Sequence, residues 1–165
     1  MYYQSENVIE EFYKNLLDSD NPERVHIPMS DVFYVREAMR RDTGVTYSLD
    51  HPDLVAIVER AITLTSQDFS VLEGLRSFER QEALVARGSS TTMNSRHIMA
   101  PNGYGHAVDI APFPLSWDWD KFYPLADAMK LAAKQLGTTL EWGGDWTSFK
   151  DGPHFQLPWS TYNGK

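Results

Sequence analysis

Gly105-His106-Ala107-Val108-Asp109 and Asp151-Gly152-Pro153-His154-Phe155-Gln156 are the two stretches on which the fold turns. Ala107 to Ala111 and Pro153 to Leu157 read as short strands, opened by glycine or proline. Each carries an ionisable side chain among apolar ones. Working outward, Leu140 to Trp142 and Phe69 to Leu75 read as two further strands. Leu54, Val55, Ile57, Val58, Ala61 and Ile62 form one apolar stripe at helical spacing, and Pro52 suits a first helical position. Phe78 to Arg87 reads as a helix stopped by Gly88, and Lys121 to Leu136 as a helix stopped by Gly137. Residues 89–104, rich in Ser, Thr, Asn and Gly, read as a loop. The expectation is an α+β fold with helices on one face of a small antiparallel sheet.

The chain has 165 residues and a net charge of −8. Residues 1–50 hold ten acidic and five basic residues, so this segment carries −5 of the −8. Residues 1–47 are expected to form an acidic helical extension, and residues 48–165 the main domain. In the extension, Val8, Ile9, Phe12 and Leu16 fall at helical spacing, and Ser30 could cap a second helix running to about Arg41. Five Trp, eight Tyr and eight Phe supply material for a packed core. An acidic chain without a basic stripe argues against nucleic-acid binding. The start lacks the basic and apolar segments of a signal peptide, and no run is long enough to span a bilayer. The expected location is the cytoplasm.

With no Cys, a metal site must be built from histidine and carboxylate. Of the five histidines, His26 and His51 lie in or beside the acidic extension and read as structural or exposed. His154 lies in a strand behind Asp151. His97, in Ser95-Arg96-His97, and His106 compete for one role. In an extended segment His106 and Asp109, three apart, point to opposite faces. His97, Asp109 and His154 are therefore preferred as ligands, with His106 as the competitor. Three protein ligands leave a fourth position for water, the arrangement of a hydrolytic zinc centre. Asp151 is then the candidate base. Arg76, after the strand ending Glu73-Gly74-Leu75, could clamp a carboxylate or oppose oxyanion charge; a surface role fits it equally well. Glu141 and Asp145, in Glu141-Trp142-Gly143-Gly144-Asp145-Trp146, read as turn and cap chemistry, and Asp145 could also orient a ligand histidine.

Gly74-Leu75-Arg76-Ser77 with Gln81, Ser95-Arg96-His97 with Gly105 to Asp109, and Trp142 to Trp146 with Asp151 to Gln156 resemble the VanY/VanX-like zinc metallopeptidases. Within them they are most similar to the phage endolysins that are L-alanyl-D-glutamate peptidases. The resemblance spans about residues 51–159. It implies the small α+β fold shared with the hedgehog signalling domain, and a zinc ion held by His97, Asp109 and His154. It implies Asp151 as catalytic acid/base and Arg76 as the arginine that contacts substrate and transition state. The implied substrate is the peptidoglycan stem peptide. A D,D-carboxypeptidase of the same family and a non-catalytic zinc-containing wall-binding module are the alternatives. An endolysin made in the cytoplasm would reach the wall after release, through a pore-forming partner. One departure stands out: the family's first histidine and aspartate usually sit seven apart, and here 109 − 97 = 12. About five residues are inserted around Met99 to Tyr104.

Overall fold

The computed structural model describes residues 50–164. The two helices expected before residue 47, and His26, lie outside the described residues. Helix α1 (Pro52–Ile62) starts where the His51 ring Nδ1 accepts the Asp53 amide at 3.2 Å. It buries the expected stripe of Leu54, Val55, Ile57, Val58 and Ala61. Strand β1 (Phe69–Glu73) follows, then helix α2 (Phe78–Ala86), capped by Ser77. Gly88 stops it with φ +76°, a conformation that glycine adopts without strain. After the long loop come β2 (Ala107–Pro112) and helix α3 (Trp119–Gln135). That helix begins two residues before the expected Lys121, because the Asp118 carboxylate accepts the Asp120 amide and caps it. Strand β3 (Glu141–Trp142), a tight turn at Gly143–Asp145 and β4 (His154–Gln156) complete the order.

The sheet is antiparallel throughout, in the order β1-β2-β4-β3. Its register separates two chemistries. Val108 faces Phe155, and Trp142 faces Phe155 from the other side. With Ile110, these residues join the core built by α1 and α3, which holds Leu54, Ile57, Leu125 and Met129. Fully burying an apolar side chain of this size stabilises the fold by roughly 1.5–3 kcal/mol. Alternation puts the remaining residues on the opposite face. There Glu73 of β1 is the partner of Asp109, Asp109 of His154, and Gln156 of Glu141. Two neighbouring rows, Glu73-Asp109-His154 and Gln156-Glu141, therefore form a polar stretch that reaches all four strands. The register between β1 and β2 shifts between Val71 and Glu73. This bulge lets Val71 pair with the core residue Ile110 while Glu73 aligns with Asp109. Helix α2 lies outside the main core cluster, and its buried Gln81 turns to Arg76 instead.

Candidate metal centre

Asp109 and His154 are facing partners on neighbouring strands, so the backbone ladder itself brings their side chains together. His154 Nδ1 lies 3.1 Å from Asp109 Oδ1. The third member comes from the loop. His97 Nε2 lies 3.3 Å from Asp109 Oδ1 and 3.3 Å from His154 Nδ1. Both histidines are buried, His97 2% and His154 8% exposed. His97 is pinned at both backbone and ring: its carbonyl accepts the Arg76 amide at 2.8 Å, and its Nδ1 lies 2.8 Å from the Gly74 carbonyl. A carbonyl only accepts, so His97 Nδ1 carries the proton and Nε2 is left bare toward the cluster.

Three potential ligand atoms thus converge. Bare nitrogens and a carboxylate oxygen repel at this range unless a cation or a proton lies between them. A tetrahedral ion with bonds of about 2.0–2.1 Å needs ligand atoms about 3.3 Å apart, which is the spacing here. The donor set, spacing and burial therefore fit a divalent ion. Among the described residues this is the one group of His, Asp and Glu side chains gathered closely enough to hold a metal. Burial alone would raise the Asp109 pKa; in the metal-free cluster, protons on His97 and then His154 take the cation's place and hold it well below the usual carboxylate range.

His106 lies outside the cluster. It is buried beside His51 at 5.4 Å between ring centroids, and its Nε2 meets the Asn102 amide at 3.2 Å. Burial, with the Arg96 charge, presses its pKa down to about 4, so it stays neutral. The inserted segment closes on itself. The His106 amide bonds the Arg96 carbonyl at 2.8 Å, Ala100 bonds Tyr104 at 2.9 Å, and Gly103 bonds Ala100 at 2.8 Å. Its ends are therefore fixed to each other, and the extra length does not displace Asp109 from His97.

Two charged groups border the cluster. Arg76 is gripped by Glu73 Oε2 at 2.7 Å and Gln81 Oε1 at 2.6 Å, and its Nη2 stands 3.6 Å from Asp109 Oδ2. Its Nε is buried with no hydrogen-bond partner. A surface role for Arg76 is thus excluded. Asp151 senses Asp109, His154, His97 and Arg76. Its burial and then the Asp109 charge push its pKa up. Its backbone fits tightly under the turn: the Asp151 amide donates to the Gly143 carbonyl at 3.0 Å. A Cβ at Gly143 would stand 2.5 Å from the Asp151 carbonyl oxygen. Glycine at 143 is thus required by close approach.

Two expectations from the sequence need correction. Asp145 does not orient a histidine; it pairs with Lys130 Nζ at 2.6 Å on the surface, because the turn carries it away from the sheet face. Glu141 is not a turn cap; it accepts from Gln156 Nε2 at 2.7 Å across the β3–β4 pair. Asp50, which sequence reasoning passed over, is 2% exposed. It is wedged against Gly74 and Gly105, where any side chain would collide with its carboxyl group.

The fold and cluster define a small α+β protein with a buried His-Asp-His centre open to a divalent ion. A family model described as phage L-alanyl-D-glutamate peptidase matches residues 42–157, and the chain belongs to that family. It is thus a hydrolytic enzyme, a peptidase. The L-alanyl-D-glutamate peptidase of Escherichia phage T5 is 31% identical over 120 residues, covering 68% of this chain and 83% of that one. The Bacillus subtilis peptidoglycan L-alanyl-D-glutamate endopeptidase CwlK is 34% identical over 103 residues, 54% of this chain and 60% of its own length. The crystal structure of the Serratia marcescens L-Ala D-Glu endopeptidase ChiX superposes with a TM-score of 0.65 at 44% identity, covering 71% of this chain and 86% of that one. No helix among the described residues is long and apolar enough to cross a membrane.

Proposed function

We propose that the chain hydrolyses the L-alanyl-D-glutamate bond of the peptidoglycan stem peptide, with a zinc ion held by His97 Nε2, Asp109 Oδ1 and His154 Nδ1. The observation that carries this reading is the convergence of those three atoms at 3.1–3.3 Å beside Arg76 and Asp151. Two imidazoles and one carboxylate, with no thiolate, suit zinc. When bound, the ion supplies Lewis acidity toward the scissile carbonyl and toward water. The bond is assigned from the names of the T5, CwlK and ChiX relatives. Phage relatives also support an endolysin role, with the chain acting on the wall after release from the cytoplasm through a pore made by another protein.

Asp151 takes the proton from the attacking water on its carboxylate as the water oxygen adds to the alanyl carbonyl carbon. It returns that proton to the glutamate nitrogen as the C–N bond breaks. A base works best with a pKa near the working pH, and burial moves Asp151 in that direction. Arg76, held rigid by Glu73 and Gln81, presents fixed positive charge where the carbonyl oxygen becomes negative.

Asp151→Asn should keep one zinc per chain and lose about 10²–10⁴-fold in turnover on purified peptidoglycan. Equal turnover would remove Asp151 from the chemistry. Mass spectrometry of the digest fixes the bond: a new glutamate amino terminus supports the assignment, and released D-alanine would make the chain a D,D-carboxypeptidase. Loss of digestion on chelation, restored by zinc, separates either enzyme from a wall-binding module.

A further inference from the structure

His154 could offer either ring nitrogen to a metal, and only the proton's position decides which. Its Nε2 lies 3.0 Å from Gln156 Oε1, two residues along β4 and on the same sheet face. An amide can be turned either way, so this contact alone does not place the proton. Glu141 supplies the missing constraint. It is the cross-strand partner of Gln156, and its Oε2 lies 2.7 Å from Gln156 Nε2. A carboxylate only accepts. Gln156 must therefore give its NH₂ to Glu141 and its oxygen to His154. His154 Nε2 must then carry the proton, and Nδ1 is left bare, facing Asp109 and His97.

We propose that Glu141 and Gln156 are positioning residues that fix the His154 tautomer and so select Nδ1 as the metal-binding atom. The inference rests on the reading of His154 as a metal ligand. Glu141 lies outside the His97-Asp109-His154 cluster and acts through Gln156. Outer partners of this kind orient ligand imidazoles and raise their basicity. The arrangement mirrors His97, whose ring is set the opposite way round by the Gly74 carbonyl. One ligand is oriented by backbone, the other by a two-residue relay.

The test uses the zinc-loaded full chain. Long-range ¹H–¹⁵N spectra of the wild type should place the His154 proton on Nε2 and the zinc on Nδ1. Zinc affinity is then read by competition with a chromogenic chelator. Gln156→Leu should weaken zinc binding about 10–100-fold. Glu141→Ala should weaken it in the same direction, and Glu141→Gln, whose amide oxygen still accepts from Gln156, should restore it to near the wild-type value. His154→Ala is the reference. If it leaves zinc affinity unchanged, the metal site itself is misassigned. If it lowers affinity while Gln156→Leu and Glu141→Ala do not, the relay is wrong and the site stands. Zinc on Nε2 in the wild type would overturn the proposal without any variant, so misfolding of a mutant cannot rescue it.

Discussion

Asp50 shows how one residue can oppose the fold that contains it. Its carboxyl is buried between Gly74 and Gly105, and its Oδ1 has no hydrogen-bond partner. Burial, followed by the Asp109 charge, pushes its pKa up to about 8 from 3.8. The folded protein thus holds this proton more tightly than the unfolded chain. Stability from that source is full below the unfolded value and is lost as pH rises through the folded one. In chelator-treated protein, Asp50→Asn should raise the melting temperature relative to the parent. The gain should grow between the two values 3.8 and about 8. A gain that does not change with pH in thermal melts would mean that Asp50 is ionised in the fold. At the same scale, the sequence offered the ligand types and a preference for His97 over His106. It was silent on Asp50, whose burial depends on two glycines remote in the chain.

At the scale of elements, most boundaries were legible because capping and stop residues are local. Gly88 and Gly137 mark their helix ends in the sequence itself. Glu141 was misread for the opposite reason. Its role depends on β3 lying beside β4, a pairing that joins Glu141 to Gln156 and that no local pattern announces. The same holds for the β1 bulge, which brings Glu73 to Asp109 and so, with Gln81, sets Arg76 in place. The turn between β3 and β4 can be tested directly. Gly143→Ala would place a Cβ 2.9 Å from Asp151 Cβ and 3.2 Å from His154 Cβ. It should destabilise the protein by roughly 1–3 kcal/mol, as overpacking does. Denaturant unfolding measures that loss, and zinc titration should show weaker binding because His154 is displaced. Unchanged values in both would mean that the turn yields without moving the strand.

Across the whole molecule, the described residues 50–164 contain the core, the polar sheet face and the His-Asp-His cluster in one connected unit. The unit opens with Asp50 bridged to Gly105, where the His51 amide donates to the Gly105 carbonyl at 2.8 Å. A chain of residues 48–165 keeps that contact. It is expected to fold, bind zinc and digest peptidoglycan at a rate close to that of the full chain. A large loss of activity with zinc still bound would assign residues 1–47 a part in handling the wall. The family match begins at residue 42, so a second truncation there separates a few missing anchoring residues from a working extension.

The inserted loop has a further meaning. Because the His106 amide closes on the Arg96 carbonyl, and Gly103 on Ala100, the segment from Met99 to Tyr104 is a cul-de-sac rather than a span. Distance along the chain is uncoupled from distance in space at that point. Length added there is expected to leave the metal ligands in place, because the loop's ends are already bonded to each other. Asn102 ties this loop to His106 and to Gly164, so an engineered peptide is better spliced at the exposed Pro101 or Gly103 on either side of it.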